Sequence, residues 1–81
     1  MKHLKLLKNL YLSNNSITQL IPLKDLIFLE YLNIESNRII DISPLSGLIG
    51  LKGLFCQNNM ITDIMPVVNM LLLEDIEFKN N

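Results

Sequence analysis

With 81 residues, 49% of them hydrophobic and only three Gly and three Pro, the chain has the apolar content of a folded protein and the length of one domain at most. Its net charge of −1 gives no electrostatic reason to expect nucleic acid or an anionic membrane as a partner. Cys56 is the only cysteine, which excludes an intrachain disulfide and a cysteine metal cluster.

The chain opens with MKHLKLLKNLYL, basic and leucine-rich like a signal peptide, but its lysines interrupt the leucines and no apolar core segment follows. It is read as mature structure. From Leu7 onward one pattern recurs: leucine, two variable residues, an apolar residue, one variable, an apolar residue, two variable, asparagine. Leu7, Leu29, Leu51 and Leu73 open it and Asn15, Asn37, Asn59 and Asn81 close it, each set at a spacing of 22. Full repeats occupy 7–28, 29–50 and 51–72, a partial repeat 73–81, and residues 1–6 fill the last positions of a preceding one. Behind the asparagines the register continues through Ile17, Ile39 and Ile61, then Leu20, Ile42 and Ile64, then Pro22, Pro44 and Pro66.

Within each repeat the segment before the asparagine alternates as a strand does, so Leu10 and Leu12, Leu32 and Ile34, Leu54 and Cys56, and Ile76 and Phe78 should point inward. One short strand per repeat gives a parallel sheet. PLKDL, PLSGL and PVVNM read as short helical or 3-10 turns opened by proline, and Phe28 is placed beneath the turn side. Asp41 and Asp63 recur in register and are assigned to turn hydrogen bonds rather than to a metal. The stretch 65–73 is too short to span a membrane and is broken by Pro66 and Asn69.

This pattern resembles the leucine-rich-repeat family over all 81 residues, and in particular its 22-residue subclass, known from bacterial internalins and from a regulatory subunit of protein phosphatase 1. The stretch DISPLSGL at 41–48, with proline two residues after the second isoleucine, favours the internalin branch. Gln19, standing where Asp41 and Asp63 stand later, and Val67 and Met70, standing where leucines are usual, depart from the pattern. The resemblance implies an α/β solenoid with parallel strands on a concave face, helical or 3-10 turns on the convex face, and a ladder of buried asparagines at Asn15, Asn37 and Asn59.

Outward strand positions form the usual binding surface of such a solenoid. Here they hold Asn9, Tyr11 and Ser13; Tyr31, Asn33 and Glu35; Gly53, Phe55 and Gln57; and Asp75, Glu77 and Lys79. Tyr11, Asn33 and Phe55 share a column with Tyr31 diagonal to it, so aromatic and amide side chains cluster on the sheet. Tyr11, Tyr31, Asn33, Glu35, Phe55, Gln57 and Glu77 are therefore the candidate protein-binding residues. The competing reading is that the aromatics only pair across strands and shield the sheet. Glu74, Asp75 and Glu77 make one end acidic, and Lys2, Lys5, Lys8 and Lys24 make the other basic.

Catalysis is not expected, because the single histidine, His3, lies at the start and Cys56 faces the core, far from it. No phosphate loop or metal-spaced cluster occurs, so no cofactor or metal is expected. Asn14, Asn15 and Ser16 form a sequon, a weak three-residue pattern in an asparagine-rich chain.

No polar cap is recognised at either end, so Leu4 and Leu6, and Leu73, Ile76 and Phe78, are expected on uncovered faces. The expectation is an uncapped fragment of a longer protein, or a chain that self-associates through its ends. The leading function is an internalin-like scaffold that binds a partner protein, at a cell surface or secreted. The alternatives are a cytoplasmic regulatory scaffold for an enzyme such as a phosphatase, and a truncated piece with no function of its own.

Overall fold

The computed structural model describes residues 5–81, and the expectations placed on Lys2, His3 and Leu4 lie outside them. Four short strands, β1 (Asn9–Tyr11), β2 (Tyr31–Asn33), β3 (Gly53–Phe55) and β4 (Asp75–Glu77), form one parallel sheet in sequence order. Their register is the repeat itself: Leu10 pairs with Leu32, Leu32 with Leu54 and Leu54 with Ile76. Each step is 22 residues, which makes the chain a coil of an α/β-type leucine-rich-repeat solenoid whose turns contain 3-10 rather than α-helical segments.

The return side of the coil has a period of three. The 3-10 turns Ile21–Leu23, Ser43–Leu45 and Met65–Val67 each carry proline as the second residue, where a missing N–H costs nothing. Beyond them a run of bonds spanning three residues continues: Leu45 N–H donates to the Ile42 carbonyl, Leu48 to Leu45 and Leu51 to Leu48, at 2.9 to 3.1 Å. With three residues per turn, side chains three apart lie on one side. Ile42, Leu45, Leu48 and Leu51 accordingly all face the core, and all are buried. The same chain of bonds joins Leu20, Leu23, Leu26 and Leu29, and Ile64, Val67, Met70 and Leu73.

A strand with period two and a return arm with period three thus enclose one apolar column per position. Burial within a column depends on having a coil on both sides. Leu32 and Leu54 are wholly buried, whereas Leu10 is half-buried and Ile76 is 41% exposed at the two flanks. Cys56 occupies the slot of Ile34 and is fully buried, as a small apolar filler would be.

Phe28 departs from its expected place. It is 52% exposed, because the inward positions are Leu26 and Leu29, and the two residues between them, Ile27 and Phe28, project outward. The same spacing exposes Ile49, Leu71 and Leu72, so the turn side carries an apolar ridge that includes the 96%-exposed Leu71.

Candidate functional site

The sheet face is held in shape from behind by the asparagine ladder. Asn37 and Asn59 are both buried. The Asn37 amide donates to the carbonyls of Ile34, at 2.9 Å, and Glu35, at 3.1 Å, in its own coil, and to that of Leu12, at 3.0 Å, in the coil before. Its Oδ1 accepts the N–H of Ile17, also in the preceding coil, at 3.1 Å. Asn59 repeats this arrangement one coil later, on Ile34, Cys56, Gln57 and the N–H of Ile39. Asn81 does so again on Cys56, Phe78, Lys79 and the N–H of Ile61. Each asparagine satisfies backbone groups that the turn removes from the ladder, and it binds two coils together.

Asn15 is the exception among the three expected ladder residues. It is exposed and donates only to Leu12 and Ser13 of its own turn, because no described coil precedes it.

Next to each ladder residue stands a left-handed one: Asn14, Ser36, Asn58 and Asn80 have φ between 57° and 62°. Asparagine tolerates this region and serine does so less well. The spacing of 22 and the choice of asparagine at three of the four positions are the sequence signals for these turns. On the return side, Asp41 accepts the N–H of Ser43 at 2.8 Å and Asp63 that of Met65 at 2.9 Å. That backbone bond, together with the Ser43 hydroxyl, holds the Asp41 carboxyl below the usual carboxylate range.

On this frame the outward residues take distinct roles. Tyr31 pairs laterally with Gly53, and the rings of Tyr31 and Phe55 both close over that glycine. A Cβ at Gly53 would stand 2.8 Å from Cδ1 of Tyr31 and 3.3 Å from Cε2 of Phe55, so the glycine is the slot that lets the two rings lie side by side. Gly53 is consequently buried although it points outward, which corrects its place among the exposed positions. Tyr11 stands one strand beyond, 69% exposed.

Asn33 lies between Tyr11 and Phe55 in the sheet register, and its Oδ1 accepts the N–H of Glu35 at 3.0 Å. Part of its hydrogen-bonding capacity is therefore spent on the sheet. Glu35 and Gln57 are half-buried, and Glu77 is exposed beside Phe55. The Oε1 of Gln57 is buried and has no hydrogen-bond partner among the described residues.

The remaining chemistry is sparse. Among the described residues no group of three or more His, Cys, Asp or Glu side chains could hold a metal ion, and no helix is long and apolar enough to cross a membrane. Burial pushes the Cys56 thiol up to about 11, and the thiol donates to the Glu77 carbonyl at 3.3 Å. A thiol held protonated in this way is a poor nucleophile.

Comparison with known proteins agrees with this geometry. The family model described as leucine-rich repeats in two copies matches residues 5–47 and again 27–69. Among solved structures, the chain is similar to an internalin, InlF, from Listeria monocytogenes strain 4b F2365, with 35% identity over 93% of this chain and 22% of that one, at a TM-score of 0.89. It is also similar to internalin C2 from the same strain, with 28% identity over 84% of this chain and 40% of that one, at a TM-score of 0.64. The chain thus spans well under half the length of either. No curated protein matches it.

Proposed function

Since the chain belongs to the leucine-rich-repeat family, in its internalin-like form, we propose that it is a protein-interaction scaffold that takes its partner on the sheet face around Tyr31, Phe55 and Gln57. A scaffold role in general follows from the family. The choice of surface is supported by one observation above all, the paired rings of Tyr31 and Phe55 seated over Gly53.

Two rings seated over the same backbone position of a hydrogen-bonded sheet lose little conformational freedom on binding and offer an apolar contact. Around them Tyr11, Asn33, Glu35, Gln57 and Glu77 supply hydroxyl, amide and carboxylate groups, the polar rim such a contact needs. The two carboxylates among these residues favour a partner surface carrying lysine or arginine.

The turn-side ridge of Ile27, Ile49 and Leu71 is the competing surface. Affinity capture with the immobilised 81-residue chain separates the two. Proteins retained by the wild type should be lost with Tyr31→Ala and Phe55→Ala and kept with Leu71→Ser. The reverse pattern moves the site to the turn side and overturns this reading.

A further inference from the structure

We propose that two copies of this chain pair side by side and antiparallel through the corner where the return arm meets the sheet. The two-fold axis lies midway between the corner at 27–30 and the corner at 49–52. The contact leaves the outward strand residues free, so it is independent of the binding site argued above.

At this corner side chains are forced outward. Leu29 N–H donates to the Leu26 carbonyl and Leu51 N–H to that of Leu48, so the two residues inside each turn project away from the core. They are Ile27 and Phe28 in one coil and Ile49 and Gly50 in the next, with Glu30 and Lys52 following just before the strands. Ile27, Phe28 and Ile49 are each more than half exposed. The coils on either side stack directly on this pair, Glu30 N–H donating to the Lys8 carbonyl and Glu74 N–H to that of Lys52, and they leave the three side chains uncovered. The exposure therefore belongs to the corner itself. A contiguous apolar patch of this kind, rimmed by charge, marks an interaction surface.

Charge identifies the occupant as a second copy. Lys8, Glu30, Lys52 and Glu74 stand in one column, each bonded through its backbone to the next. Within the chain Lys52 Nζ lies 3.9 Å from Glu30 Oε1. Reversing an alternating column gives its complement. An antiparallel copy on the two-fold axis therefore sets Glu30 against the Lys52 of its neighbour and Lys8 against the neighbour's Glu74, and makes each contact twice. A parallel copy at the same height sets Glu30 against Glu30 and Lys52 against Lys52. Sliding the antiparallel copy by one coil also brings like charges together, so the column selects both direction and register.

Shape follows the same operation, which lays Ile27 on the neighbour's Ile49 and Phe28 on its Gly50. The chain's own conformation does not require that glycine. Its φ is not positive, and an added Cβ would meet only the carbonyl oxygens of Leu29 and Ile27, at 3.6 and 3.9 Å, which is ordinary contact. The missing side chain leaves room on the outer surface for the Phe28 ring of the other copy. Because both copies use the same patch, the contact is isologous and closes as a dimer.

Sedimentation velocity of the 81-residue chain over a concentration series at low salt tests this, and the wild type should dimerise as concentration rises. Glu30→Lys and Lys52→Glu each set like charges across the axis, and each should weaken dimerisation roughly tenfold, with less effect at high salt. Mixed in equal amounts, the two variants place opposite charges across the axis at both positions and should pair with each other more tightly than either does with itself. Loss of the internal ion pair, common to both variants, does not produce that recovery. Gly50→Leu fills the room left for the ring and should weaken the dimer while melting as the wild type does by circular dichroism. If it does not fold, the charge variants decide. A wild type that is monomeric throughout overturns the proposal, as do single charge variants that associate like the wild type, or a mixture that pairs no better than its components.

Discussion

Replacing Asn37 by alanine removes two amide N–H donors that serve three carbonyls and one acceptor that serves Ile17. The backbone groups of Leu12, Ile17, Ile34 and Glu35 lose that partner together. Each group left unpaired in a buried place costs about 1 to 3 kcal/mol, and water entering at the rim of the turn recovers part of it. A net loss of about 2 to 4 kcal/mol follows, a large share of the roughly 4 to 12 kcal/mol that marginal stability per residue allows a chain of this size. Urea denaturation followed by circular dichroism measures it as a lower midpoint. Asn15→Ala is the control: it removes two bonds within one exposed turn and should cost under about 1 kcal/mol. Equal midpoint shifts for the two variants would refute the idea that an asparagine stabilises by joining two coils.

Ser36 holds a left-handed position that asparagine holds in the other coils, so Ser36→Asn should stabilise by about 0.5 to 1 kcal/mol in the same denaturation assay. Gln19 stands where Asp41 and Asp63 accept a turn N–H, and Gln19→Asp should raise the melting temperature at neutral pH and lose that gain in acid, where the carboxyl is protonated. Cys56 should resist a thiol reagent at pH 8 until the chain opens, so its labelling rate reports unfolding. Since its folded value is raised from 9.0 to about 11, the unfolded thiol ionises first and stability should fall between those pH values, a fall absent from Cys56→Val.

The coil was legible because a stacked repeat writes its geometry as exact spacing. The inward residues of the strands, the proline-led turns and the buried pair Asn37 and Asn59 all follow from counting by 22. What counting missed is what depends on direction and on neighbours. The ladder is staggered, with each asparagine reaching back into the coil before it, which is why Asn15 bonds only its own turn while Asn81 bonds two coils. Phe28, expected beneath the turn side, projects outward because the period of three on the return arm leaves two outward residues between Leu26 and Leu29.

The sheet-face cluster was legible as a list of outward residues but not as an arrangement. Gly53 was expected simply as one of the outward positions, whereas its absent side chain leaves the space that the rings of Tyr31 and Phe55 occupy. The hydrogen bond that engages Asn33 with Glu35 depends on a rotamer, which spacing does not encode. The ion pair of Lys52 with Glu30, residues 22 apart in the chain, likewise follows only from the register that places them side by side.

Isothermal titration of a partner captured by this chain is the most direct test of the sheet face as the binding surface, with the wild type compared against Tyr31→Ala, Phe55→Ala and Leu71→Ser. Each aromatic replacement should cost about 2 kcal/mol or more of binding free energy, roughly a thirtyfold loss of affinity, while Leu71→Ser should bind as the wild type does. Unchanged affinity in both aromatic variants, with the fold intact by circular dichroism, would contradict it.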